Sequence, residues 1–201
     1  MKRNHSLRLG SLVRLVAACT STPVHYHTLV PAPADADVAQ PAASYAVEVD
    51  PVKVPAQVDR FELVVRRSSG EITLLEDELW VAPLADELRN ALIVELTRRL
   101  ASVDTADTHR DPAAIAVRIE VERFESAPAH YALIEAFWHL RVNNGTRPEG
   151  LACRTRAYQR VSDGYTALVH GHQTAVVSIA DQIADAARRL IIDSAAVCPT
   201  A

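Results

Sequence analysis

From Ile115 onward, apolar side chains occupy every second position. Ile115, Val117, Ile119 and Val121 alternate with Arg118, Glu120 and Glu122. Ala132, Ile134, Ala136, Trp138, Leu140 and Val142 then share one face, and a third run extends from about Leu151 to Val161. A period of two belongs to strands with one buried side, so these runs predict a three-stranded antiparallel meander. Asn143-Asn144-Gly145 begins one of its turns and Asp163-Gly164 ends it.

Upstream the same period appears in shorter pieces. Tyr45, Val47 and Val49 face one way and Ala46 and Glu48 the other, until Pro51 and Pro55 interrupt. Proline cannot donate to a sheet ladder, which places this strand at an edge or a bulge. Phe61, Leu63 and Val65 alternate with Glu62 and Arg66, and Glu71-Ile72-Thr73-Leu74-Leu75 follows Ser68-Ser69-Gly70. Two β-rich runs around a short glycine-containing turn predict a hairpin. Residues 20–44 are rich in Ala, Pro, Thr and Ser, with one short extended piece from His25 to Val30.

Two stretches carry the helical period instead. Leu84, Leu88, Leu92, Leu96 and Leu100 repeat every four residues, and Ala85, Ala91 and Ile93 widen the stripe. Pro83 opens this helix, where its missing N–H costs nothing. Asp86 and Glu87 near its start and Arg98 and Arg99 near its end suit the helix dipole. The second helix is predicted from about Thr174 to Ser194, with Val176, Ala180, Ile183, Ala187, Leu190 and Ile191 on one side. The order of elements predicts an α+β fold: a two-layer sandwich in which two long helices cover one face of a largely antiparallel sheet.

The N-terminus has a different character. Lys2, Arg3 and Arg8 precede an apolar run that ends in Leu15-Val16-Ala17-Ala18-Cys19. This resembles a bacterial lipoprotein signal peptide, residues 1–18, with a lipobox whose Cys19 receives diacylglycerol and further acyl chains such as palmitate. Arg14 interrupts the apolar run, a costly charge in a segment entering a bilayer. In similar lipoproteins a non-acidic residue after the cysteine, here Thr20, goes with the outer membrane. The expected organisation is a signal over 1–18, a lipidated tether with a short first strand over 19–44, and a single domain over 45–201. Each buried methylene contributes about 0.8 kcal/mol, so two or three acyl chains hold stably where one does not.

Cleavage changes the charge. Losing Lys2, Arg3, Arg8 and Arg14 takes the formal net charge from −4 to −8. Such a protein is ill-suited to nucleic acid. Acylation of Cys19 would leave Cys153 and Cys198 in a compartment that permits disulfides; they form a bridge there, or remain a buried thiol and a free one near the C-terminus.

Candidate chemistry is sparse. GxSxG, CxxC and a phosphate-cradling glycine loop are all missing from the sequence. His25-Tyr26-His27 and His170-Gly171-His172 each place two imidazoles in alternation, which would hold zinc given further ligands; solvated loop or strand-end histidines are the plainer reading. Glu76, Asp77 and Glu78 read as a solvated acidic turn, and Arg154, Arg156 and Arg160 as one face of a strand. Trp80 reads as a packing anchor at the corner of helix and sheet, or as a partner contact. No catalytic residue, metal or cofactor is expected.

Several of these pieces in order resemble a known family. The lipobox is followed by Tyr26-His27-Thr28-Leu29, by Val52-Lys53-Val54-Pro55-Ala56-Gln57-Val58-Asp59-Arg60, by the hairpin, and by Leu79-Trp80-Val81-Ala82-Pro83-Leu84 entering a helix. This is similar to the ABC-type transport auxiliary lipoproteins of the PqiC/YmbA kind. Val58 stands where that family has Leu, and Val81 is inserted between the Trp and Ala-Pro-Leu. The resemblance implies a non-catalytic outer-membrane lipoprotein facing the periplasm. It would serve intermembrane lipid transport, docking to an MCE-domain protein that works with ABC and permease components, as a homo-oligomeric ring. Pro55, Arg60 and Trp80 are the expected partner contacts. The alternatives are an envelope-assembly or structural lipoprotein and a periplasmic enzyme.

Overall fold

A computed structural model describes residues 23–32, 45–67, 70–100, 113–143, 149–193 and 195–199. Residues 1–18, read above as a signal peptide, together with Cys19, the polar stretch 104–112 and Asn144-Gly145, lie outside the described residues. The elements in chain order are β1 (His25–His27), β2 (Tyr45–Val49), β3 (Glu62–Arg66), β4 (Ile72–Trp80), α1 (Leu84–Leu100), β5 (Ala113–Ala127), β6 (Tyr131–Asn143), β7 (Glu149–Arg160) and α2 (Tyr165–Ile192).

The α+β class holds, with helices packed against sheet, but the strands divide into two mixed sheets. The meander forms as the period predicts, β5–β6 and β6–β7 antiparallel, and β2 joins its free side parallel to β5. Beyond β2, Lys53 resumes the parallel pairing opposite Glu120, so the chain bends at Pro51 and returns to the ladder. The β3–β4 hairpin forms a second sheet in the order β1-β4-β3, with β1 parallel to β4. Both parallel pairings are long-range, and no turn signal announces them.

Two irregularities re-aim side chains. In β5 the register shifts between Val121 and Arg123. Buried positions are odd-numbered before this bulge (Ile115 to Val121) and even-numbered after it (Phe124, Ser126). In β4, Leu75 opposes Leu63 and Leu79 opposes Glu62, so one step along β3 matches four along β4. The extra residues are Glu76, Asp77 and Glu78. The acidic run is therefore an irregular strand segment rather than a solvated turn, and it turns Glu78 inward.

The core lies between the helices and the inner face of the four-stranded sheet. Leu84, Leu88, Leu92, Leu96 and Leu100 of α1 are all buried, as are Ala132, Ile134, Ala136, Trp138, Leu140 and Val142 of β6. Helix α2 begins at Tyr165, nine residues before the start that the sequence predicts. Its first turns hold Tyr165, Thr166, His170, Gly171 and His172, which break the apolar stripe although Leu168, Val169 and His172 are buried. Gly171 permits this contact, because a Cβ there would come 2.4 Å from Val161 Cγ1 and 3.1 Å from Ala132 Cβ. Arg99 ties the helices together, donating to Glu95 on α1 and, at 2.5 Å, to Asp181 on α2. Beyond α2, Cys198 is joined to Cys153 on β7, with the Cα atoms 5.6 Å apart.

Candidate docking surfaces and the N-terminal latch

The outer face of the four-stranded sheet is left uncovered by the helices and is built from paired charges. Arg118 meets Asp50 at 3.1 Å, Arg154 on β7 reaches across β6 to Glu122 on β5 at 2.8 Å, and Glu135 accepts from Arg123 and Arg156. Exposed pairs of this kind contribute about 0.2–1 kcal/mol each, so they dress the surface rather than hold the fold. Arg156 also lies 5.4 Å from the ring centre of Tyr158. A groove of about 570 Å³ runs beside β2, lined by Asp50, Pro51, Lys53, Arg118, Phe137 and His139, among others. The Arg154–Arg156 face is thus partly neutralised within the chain.

A second surface is apolar. Pro55, Val58, Val64, Ile72 and Phe124 line a cleft of about 370 Å³ between the hairpin and β5, with Arg66, Arg123 and Glu125 among its polar lining. Phe61, Ile72 and Leu74 of the same hairpin region are about half exposed. Burial pushes the Glu125 carboxyl up, but hydrogen bonds from Arg123 and Tyr131 and the charges of Arg123 and Arg66 outweigh it, and its pKa falls below the usual value. Pro55 lines the cleft, while Arg60, five residues further on, is half-buried outside its lining, its Nε without a partner among the described residues. Trp80 does not reach the surface. It is 2% exposed and meets Phe124 edge-on at 6.3 Å, so its indole joins the hairpin sheet to β5 and has no area to offer a partner.

Phe124 in turn lies flat on His172, with ring centres 4.1 Å apart. His172 is fully buried on α2 and shares a 2.8 Å hydrogen bond with Ser126, which corrects the expectation of a solvated loop histidine. Burial pushes its pKa down to about 3, so the ring is neutral. Its Nδ1 has no hydrogen-bond partner among the described residues. His170, two residues earlier, is exposed.

The other histidine pair converges on one carboxylate. His25 donates from Nδ1 to Glu78 Oε1 at 2.9 Å, and His27 from Nε2 to Oε2 at 2.5 Å. Burial raises the Glu78 pKa; the hydrogen bonds from His27 and His25 and their charges outweigh it, leaving a net lowering. Among the described residues, no three His, Cys, Asp or Glu side chains are arranged to hold a metal ion. The arrangement works as a latch on β1. Glu87 extends it, accepting 2.7 Å hydrogen bonds from Thr28 Oγ1 and the Leu29 N–H, while Gln173 donates to the Thr28 carbonyl at 2.9 Å. Residues 25–29, read from the sequence as a short extended piece within the tether, are thus part of the packed body. Sequence reasoning missed Glu87 and Glu78. The signal for Glu87 was its spacing, three residues after Leu84 and four before Ala91, which puts a carboxylate on the apolar stripe.

Residues 27–184 match a family described as ABC-type transport auxiliary lipoprotein component. Two crystal structures share the fold at 18% identity. One, titled only as an uncharacterized protein, aligns with a TM-score of 0.59 over 82% of this chain and 98% of its own. The other, a protein from Xanthomonas campestris, aligns with a TM-score of 0.52 over 84% of this chain and 95% of its own. No curated protein matches the chain.

Proposed function

The chain belongs to the ABC-type transport auxiliary lipoprotein family, and on that footing we propose that it is a non-catalytic, lipid-anchored subunit of an intermembrane lipid transport system. Cys19 carries the acyl chains, and the domain faces the periplasm from the outer membrane. It docks to an MCE-domain protein of the transporter and assembles with copies of itself. The family match over most of the domain carries this reading. No helix among the described residues is long and apolar enough to cross a membrane.

The apolar cleft is the docking surface we favour. Large apolar side chains that stay half-exposed beside a cleft mark interaction sites more often than isolated ones do. Ile72 is such a residue and stands in the cleft wall with Pro55, while Phe61 and Leu74 are half-exposed in the same hairpin region. The test is affinity purification of the full chain from native membranes, beside a Phe61→Asp/Ile72→Asp variant. Recovery of an MCE or permease component with the native chain, and its loss with the variant, supports the proposal. Recovery of envelope-assembly machinery in its place overturns it.

A further inference from the structure

The latch on β1 limits how far the domain can stand from its anchor. Cys19 precedes His25 by six residues, which span at most about 20 Å when fully extended. A domain of ~180 residues is about 40 Å across by the usual size scaling. A leash shorter than the body it holds cannot let that body turn its far side to the anchoring surface. Had β1 been free, the leash would run to Tyr45 and reach up to about 90 Å, leaving orientation open. Glu78, Glu87 and Gln173 close off that freedom.

The surface brought down by the short leash suits a bilayer interface. Tyr26 is 66% exposed and Val24 is 47% exposed. They border an open depression with His25, Tyr165 and Thr166. Tyrosine concentrates at membrane–water boundaries because its ring is apolar and its hydroxyl is not. Arg67, exposed and 3.4 Å from the Tyr165 hydroxyl, adds a positive charge there, and the nearby Glu78 is already paired with two histidines. We propose that the face carrying Val24 and Tyr26 lies against the lipid headgroups. The hydrogen bonds that lock β1 to β4 and α1 fix this orientation. The inference rests on acylation of Cys19 as proposed above.

The test uses the full acylated chain with Tyr26→Trp, reconstituted in vesicles of phosphatidylethanolamine and phosphatidylglycerol containing brominated lipid. Trp80 and Trp138 are buried and supply a constant background. The introduced indole is expected to lose most of its emission to bromine. Inserting about twenty Gly/Ser residues between Thr22 and Pro23 raises the greatest reach of the leash to about 90 Å, more than the width of the body, and should restore that emission. Quenching that is absent with the native leash, or unchanged by the insertion, overturns the orientation. Intact mass of the mature N-terminus reads the acylation separately. An unacylated Cys19 overturns both proposals, whereas an acylated chain without quenching overturns only this one.

Discussion

Glu87 accepts a 2.7 Å hydrogen bond from the main-chain N–H of Leu29, a residue 58 positions earlier. Both groups are buried, and the same carboxylate oxygen takes the Thr28 hydroxyl. A carboxylate in the first turn of α1 also sits well in the helix dipole. One side chain therefore serves the helix start and holds the N-terminal segment against the body.

Replacing Glu87 should release that segment. Glu87→Ala leaves the buried Leu29 N–H without its acceptor, at a cost of about 1.5–3 kcal/mol for a bond to a charged group. Amide hydrogen exchange at residues 25–30 is expected to accelerate while β5 and β6 keep their protection. Glu87→Gln, which retains one acceptor oxygen, should fall between the two. Uniform protection in all three proteins would remove the latch role.

Acid should loosen β1 through Glu78. The folded-state pKa of this carboxyl lies below its ordinary 4.5, so its stabilising contribution is complete above 4.5 and is lost as the pH falls through the lower folded value. The protection of β1 amides, taken relative to the intrinsic exchange rate at each pH, is expected to fall between pH 6 and about pH 3 in the native chain. Glu78→Gln should already be loose at neutral pH and show little further change.

His172 makes the whole domain acid-sensitive. Its pKa of about 3 in the fold, against 6.5 when free, means that unfolding takes up a proton between these values. Stability then declines as pH falls below 6.5, by about 3 kcal/mol at pH 4. Urea denaturation at pH 7 and pH 4 measures this. His172→Phe keeps an aromatic ring against Phe124 and should abolish most of the difference, though it sacrifices the Ser126 hydrogen bond.

Gly171 should resist substitution. Alanine in a helix interior is ordinarily favoured over glycine by about 1 kcal/mol. At this position the new methyl would strike Val161 and crowd Ala132. Overpacking costs of about 1–3 kcal/mol oppose the propensity gain. Gly171→Ala is expected to lower the denaturation midpoint, and Gly171→Val to lower it further.

Loss of the Cys153–Cys198 link should act on stability and leave the sheet intact. The bond closes a loop with a sequence separation of 45, and the chain-entropy estimate for such a loop is about 4 kcal/mol. Cys198→Ala is expected to lower stability by up to that amount, with an unchanged circular dichroism spectrum. Intact mass under non-reducing conditions shows whether the native chain carries the bond.

The parts of the fold that were legible in the sequence are those governed by local period. The meander from Ile115, the hairpin around Gly70 and the leucine stripe of α1 follow from spacing alone, because a strand or helix must put its apolar side chains on one side. The start of α2 was not legible, since Gly171 and His172 are buried by what they pack against. For the same reason the sequence places Trp80 near a helix start but does not reveal that Phe124 meets it edge-on. Pro55 and Arg60 could be picked out, but only the fold shows Pro55 lining an apolar cleft.

The residue pattern by itself determined the α+β class, the three long strands, the helix stripes and the resemblance that the family match later matched in kind. Tertiary structure alone decided the parallel pairings of β1 with β4 and β2 with β5, the inward turn of Glu78 and the partners of Glu87. Those contacts join residues tens of positions apart. Their geometry is set when helices and sheets pack to exclude water, and no local spacing in the chain encodes which buried donor will meet which carboxylate.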